Sequence, residues 1–357
     1  VLPGLIDAHT HLGLSVMLGG DEGDMQIWNC RSKEEVLSNL KNHVKKHPLK
    51  LFYSAFFGMA EALGQEGLKK EEIDKIVKHR PVILMEQECH SAWLNTAALK
   101  YIKISEDTED IAPGYSYCER DENGRLTGCI KEMTMLPLLQ IAGSVSQKKM
   151  RDGMLKIMDY LLERGVTTVY DAGNYIKEEQ TYKILSDLDK QGKLPVRIEA
   201  THIIDLPDKL DGAIGEFKRL KSKYETKNIK FKTMKMMLDG TLRAHTAKMI
   251  TPYCDTGTTG GTLIDFKRLY EFIKQLNKEK IDFHLHTVGE GASKIVMDWA
   301  ERIIREDGKL DINITLAHLE SLTDEDLARF KPLGITANFT PHWFGGIDYG
   351  DIEIMER

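Results

Sequence analysis

The chain has 357 residues, 41% hydrophobic and 29% charged, with a formal net charge of −6. That balance belongs to a globular protein with a sizeable core, and its acidic excess argues against nucleic acid as the main partner. No apolar run approaches the roughly 18 residues a membrane helix needs, so no membrane partner is expected.

Cys30, Cys89, Cys118, Cys129 and Cys254 are odd in number and contain no CxxC pair. A four-cysteine zinc site is thereby excluded, and mostly buried, inert thiols in a reducing cytoplasm are expected. The chain opens without Met, inside a strand pattern with no leader-like segment, and stops at Arg357 in a charged stretch. A chain shortened at both ends is the expectation.

The first predicted strand, over 4–9, runs into His9-Thr10-His11 and then Gly13. Alternate side chains of a strand share a face, so His9 and His11 point the same way. Two imidazoles at the end of a buried strand make half of a divalent-metal site. Residues 30–145 then interrupt the rhythm with a charged helix over 32–46, a glycine-punctuated stretch from Phe56, and a hairpin-like turn at Asp121-Glu122-Asn123-Gly124. This segment reads as an inserted subdomain beside a barrel mouth, between a first strand and loop (1–29) and the rest of a catalytic barrel (146–357).

From there, short β-branched runs alternate with amphipathic helices. Strands are predicted over 166–171, 195–202, 229–238, 281–286, 312–318 and 334–340, and helices over 147–164, 265–279, 291–306 and 323–331. Gly165, Gly192 and Gly334 stand where helices should stop. The alternation is that of an α/β protein with a parallel sheet: a TIM-like (β/α)8 barrel lacking its last strand, with an open doubly wound sheet as the alternative. No GxGxxG turn follows a strand, which weakens a dinucleotide reading. Barrels of this kind carry their chemistry at the carboxyl ends of the strands. Here those ends hold His9 and His11, then Asp239, His284 and His286, His318 and His342. Histidines ending four of seven strands point to a metal rather than to packing.

Several segments carry a family resemblance. Pro3-Gly4-Leu5-Ile6-Asp7-Ala8-His9-Thr10-His11-Leu12 resembles the first-strand motif of the amidohydrolase superfamily. Cys89-His90-Ser91-Ala92-Trp93-Leu94-Asn95, Lys235 to Asp239-Gly240-Thr241-Leu242, His286-Thr287-Val288-Gly289-Glu290-Gly291 and His318-Leu319-Glu320 resemble its family 3 branch, which includes N-substituted formamide deformylases and exoenzyme regulatory proteins. The resemblance implies a binuclear metal-dependent hydrolase acting on a non-peptide C–N bond of a small amide or formamide. His9 and His11 would hold one ion, His286 and His318 the other, and Lys235 would bridge them as a carbamate. A solvated or substrate-binding lysine is the plainer reading of Lys235. Glu132, in Gly128-Cys129-Ile130-Lys131-Glu132, is the rival ligand, with a surface salt bridge as its plainer reading.

Two divalent ions per chain are implied; zinc suits the donor set, with iron, manganese and nickel as alternatives. The implied general-base aspartate follows an eighth strand, so no catalytic base is assigned and a chain ending at the seventh strand is expected to be inactive by itself. His90, Trp93, Asn95, Asp239, Arg243 and Trp343 are the candidate substrate contacts, with ordinary packing as the alternative for each. An esterase or lactonase using the same metals, and an inactive regulatory fragment, are the competing functions. Self-association into a homodimer is left open.

Overall fold

The computed structural model describes residues 2–341, apart from 19–24, 26, 28, 59–62, 64–66, 87 and 143–144. Its strands are β1 (Leu5–Thr10), β2 (Tyr53–Gly58), β3 (Val82–Glu86), β4 (Ser91–Leu94), β5 (Cys118–Arg120), β6 (Leu126–Lys131), β7 (Val166–Asp171), β8 (Arg197–Ile204), β9 (Ile229–Met237), β10 (Asp282–Thr287), β11 (Ile314–His318) and β12 (Thr336–Phe339). Its helices are α1 (Leu12–Leu18), α2 (Lys33–Lys46), α3 (Lys70–Asp74), α4 (Thr96–Tyr101), α5 (Leu136–Ala142), α6 (Gln147–Glu163), α7 (Glu178–Lys190), α8 (Ala213–Tyr224), α9 (Phe266–Glu279), α10 (Glu290–Asp307), α11 (Asp324–Leu327) and α12 (Phe330–Leu333).

Seven strands form one sheet in the order β1-β7-β8-β9-β10-β11-β12, with every pair parallel. Its two ends approach each other, where the Asn338 side chain in β12 donates to the Ala8 carbonyl in β1 at 2.9 Å. The result is a nearly closed barrel of TIM type with helices on its outside. Strand β9 shows how pattern becomes placement. Ile229 and Phe231 are buried while Lys230 and Lys232 face out, and from Met234 to Met237 every side chain is buried. Lys232 and Lys235, three residues apart, thus take opposite environments. Outer helices present a stripe to the barrel: Asp265 caps α9 by accepting from the Arg268 amide, and Leu269, Ile273 and Leu276 are fully buried along one face.

The three predicted helix stops hold. Gly165, Gly192 and Gly334 have φ of +77°, +67° and +66°, which a side chain resists and glycine does not. The predicted helix over 323–331 is instead two short ones, α11 and α12. Pro332 has no N–H to continue the first ladder and sits in the opening turn of the second.

The first strand departs from expectation more sharply. It is not buried: Leu5 and Ile6 are 60% and 69% exposed, because among the described residues β1 has a hydrogen-bonded neighbour, β7, on one side only.

The segment between β1 and β7 builds a second sheet in the order β2-β3-β4-β6-β5. Leu84, Trp93 and Cys129 stand opposite one another across β3, β4 and β6 and join a core with Val36 and Leu40 of α2. Ile83, Leu94, Ala92 and Ile130 face the other way, into a core with Leu99 and Leu138. Both faces of this sheet are therefore packed. The predicted turn lies between β5 and β6. Asp121 accepts from the amides of Asn123 and Arg125, and Gly124 takes φ +77°. None of the five cysteines is in a disulfide, and burial pushes the Cys118 and Cys129 thiols up to about 11 and about 12. No helix among the described residues is long and apolar enough to cross a membrane.

Candidate metal centre

The carboxyl ends of β1, β9, β10 and β11 deliver six basic side chains to one place. The His9 ring centroid lies 5.3 Å from that of His11, 5.1 Å from His284 and 4.7 Å from His318. The His286 and His318 rings are 4.4 Å apart. Lys235 Nζ lies 3.5 Å from His9 Nε2 and is fully buried. The structure thus brings together all five residues proposed as ligands from the sequence, and adds His284.

The electrostatics follow from crowding bases away from water. Burial, then the Lys235 charge, holds His9 well below the ordinary imidazole range and His11 down to about 3. Burial pushes His284, His286 and His318 the same way, each with cationic neighbours adding to it. Lys235 itself is pushed down to about 7 by burial, with Asp171 opposing. The cluster therefore favours neutral imidazoles and an amine that is neutral in part near pH 7, the protonation states that leave nitrogen lone pairs available.

The far sides of three rings are anchored. His11 Nδ1 bonds the Gly173 carbonyl at 2.8 Å, His286 Nδ1 lies 3.3 Å from Asp239 Oδ1, and His318 Nδ1 bonds Thr340 Oγ1 at 2.7 Å. Anchoring one ring nitrogen while the other faces a cavity is how proteins orient metal-binding histidines. His286 Nε2 is buried with no hydrogen-bond partner, the kind of orphaned atom that an ion would satisfy. No three His, Cys, Asp or Glu side chains among the described residues are already spaced to grip one ion. His9 explains part of this, since its Nδ1 shares a 3.2 Å hydrogen bond with His284 Nε2 and its Nε2 faces Lys235. In donor chemistry and neutrality the residues fit a divalent cation.

The backbone is strained around this point. His318 and Leu319 at the end of β11 have φ of +79° and +56°, and Cys89, between β3 and β4, and Glu132, just after β6, have +62° and +52°. Such conformations cost about 1–3 kcal/mol each and persist where surrounding structure holds them. The loop containing Cys89 brings Glu88, Cys89 and His90 to a cavity of about 540 Å³, which His9, His11, His286 and His318 also line. Leu14, Met133, Leu139, Tyr175 and Phe339 supply its apolar wall.

The remaining sequence candidates fall in distinct places. Glu132 is fully buried and committed: one oxygen bonds His90 Nδ1 at 2.6 Å, the other accepts from Thr246 Oγ1. It is no surface salt bridge, and its oxygens are engaged by protein groups. Burial opposes charge on His90, but the Glu132 carboxylate outweighs it and raises His90 to about 9. Asp239 accepts from the amides of Lys248, Val288 and Gly289 and faces His286, so it supports that ring from behind.

Arg243 is not open to a substrate carboxylate as it stands, because its Nε lies 3.1 Å from Glu88. Trp93 packs in the core of the second sheet. Asn95 caps α4 through the Ala98 amide and binds the Val77 and Arg80 carbonyls, which uses its polar atoms structurally. His342 and Trp343 lie outside the described residues. Asp171 and Asn174 were missed. Asp171 ends β7, accepts from Leu12 N and Asn174 Nδ2, and is raised to about 6 by burial. Its one sequence signal is an acid at a strand's end.

Residues 1–353 match the amidohydrolase family. Among curated proteins, the exoenzymes regulatory protein AepA of Pectobacterium carotovorum subsp. carotovorum is 24% identical over 96% of this chain and 74% of its own length. The putative amidohydrolase YtcJ of Bacillus subtilis (strain 168) is 25% identical over 96% of this chain and 63% of its own. The N-substituted formamide deformylase of Arthrobacter pascens is 24% identical over 99% and 64%. Among solved structures, an uncharacterized metal-dependent hydrolase from Pyrococcus horikoshii OT3 superposes with a TM-score of 0.60 at 21% identity, over 96% of this chain and 63% of that one. Its counterpart from Pyrococcus furiosus gives 0.58 at 22% identity, over 96% and 65%. The chain thus spans about two thirds of the proteins it resembles.

Proposed function

The chain belongs to the amidohydrolase family, and from that premise we propose that it forms the metal-binding body of a hydrolase that cleaves a non-peptide C–N bond in a small amide or formamide. The observation that carries this reading is the convergence of His9, His11, His286, His318 and buried Lys235 at one barrel mouth, with His286 Nε2 unpartnered.

In this reading the four histidines offer neutral ring nitrogens to two divalent ions, zinc being the best match to the donor set. Lys235 would add an anionic ligand to that set once its neutral amine adds to carbon dioxide and releases a proton. A lysine held near neutrality by burial is the form that can react. Bound divalent ions would make water a nucleophile near neutral pH and polarise the substrate carbonyl. Gly173, Asp239 and Thr340 keep three imidazoles oriented, which limits the reorganisation needed on binding. His90, held by Glu132, faces the cavity and is placed to donate a hydrogen bond to substrate. The apolar wall excludes water and seats a hydrocarbon substituent.

The test is turnover of N-formyl and N-acyl amines beside their ester isosteres by the whole hydrolase whose metal-binding body this chain forms, before and after chelation and zinc reconstitution. Amide cleavage that chelation abolishes and zinc restores is expected. Ester cleavage alone would contradict the C–N assignment, and chelator-resistant activity would contradict the metal.

A further inference from the structure

Away from the barrel mouth, one surface of the second sheet is built in a way that the hydrolase reading does not use. Residues 36–60 contain Lys41, Lys45, Lys46 and Lys50 and no acid, and residues 75–80 add Lys75, Lys78 and Arg80, again with no acid. In a chain of net charge −6 this is a local reversal of sign.

The fold joins the two segments. After α2 the chain makes a turn over His47–Lys50, closed by the Lys50 amide on the His47 carbonyl at 3.3 Å. Arg80 donates through Nη1 to the Pro48 and Lys50 carbonyls, and Tyr53 Oη donates to the His47 carbonyl at 2.9 Å. Pro48 fixes its own φ at the turn's first corner. Four hydrogen bonds and a proline thus hold a turn whose apical side chains face solvent. Leu49 is 93% exposed, Leu51 84% and Phe52 44%. Lys41, Lys45, Lys46, Lys75 and Lys78 around it are exposed, and among the described residues none of them makes an ion pair. The nearby acids are occupied elsewhere: Glu71 with Lys70, Glu72 with Lys33, and Asp74 with Thr96.

We propose that this turn and its lysines form a docking face for an anionic bilayer surface, with Leu49 and Leu51 entering the headgroup region and the lysines meeting lipid phosphates. The composition favours a lipid surface over a protein. Lysine is depleted in the cores of protein interfaces, where arginine and aromatic residues dominate, and the one arginine here is used to hold the turn. Flexible point cations around a rigid apolar tip suit a fluid array of phosphates. This is attachment at the surface, compatible with the absence of a crossing helix among the described residues.

The test is co-sedimentation of the whole chain with vesicles of equal parts phosphatidylglycerol and phosphatidylcholine, beside phosphatidylcholine alone. Binding to the anionic vesicles only, weakening as salt rises, is expected. Lys45→Ser with Lys46→Ser should weaken binding roughly 30-fold, from about 1 kcal/mol per lysine near the surface. Leu49→Ser with Leu51→Ser should weaken binding while leaving its salt dependence. Both pairs are on the surface, so unchanged thermal unfolding checks that they fold. Equal binding to neutral vesicles, no binding to either, or binding indifferent to both pairs would overturn the proposal. So would capture of an acidic protein by a chain that ignores vesicles.

Discussion

Lys235 is the residue on which the chemistry of this cluster turns. A buried amine pushed from its ordinary 10.5 down to about 7 is held in the fold at a cost. The sign of the pH dependence follows. Between about pH 7 and 10.5 the unfolded chain carries a proton that the folded chain lacks, so stability should rise with pH across that window. Lys235→Met should remove this rise. Denaturant unfolding from pH 7 to 10, in chelator and carbon dioxide-free buffer, reads it directly, and parallel profiles for the two proteins would contradict the assignment. At this scale much of the cluster was legible, because histidines at strand ends report both a face and a position. His284 was less so. It shares the face of His286, but its contacts with His9 and with the Tyr170 ring, stacked at 4.6 Å, join residues far apart in sequence. Trp93 and Asn95 mislead for the opposite reason, since a tryptophan in a core and an asparagine at a helix cap are local solutions that resemble site residues.

At the scale of elements, the barrel mouth is assembled across two sheets. Glu132 follows β6 of the second sheet, Thr246 lies in the loop after β9 of the barrel, and the hydrogen bond between them passes beside Gly240. A Cβ at Gly240 would sit inside contact distance of both Thr246 Oγ1 and Glu132 Oε1. Gly240→Ala should therefore cost about 1–3 kcal/mol, the usual range for overpacking a filled site. Denaturant midpoints check this, and a variant as stable as the parent would show that the two sheets are not joined tightly there. The parallel strands and their intervening helices could be read from period and punctuation alone. The exposure of β1 could not, because its apolar sequence is that of a strand with neighbours on both sides. The splitting of the helix over 323–331 had one signal in the sequence, Pro332 immediately beyond that span.

For the whole molecule, seven parallel strands, a second sheet over the mouth and a cavity of about 540 Å³ make a scaffold on which several chemistries could run. What restricts them is the donor set at its centre, and donors are only as informative as what they bind. The most direct measurement is metal content per chain by elemental mass spectrometry, on protein purified without chelators, for the parent and for His286→Ala. The account predicts about two divalent ions per parent chain and a clear loss in His286→Ala. A parent chain without metal, or one whose metal content is indifferent to His286, would contradict it.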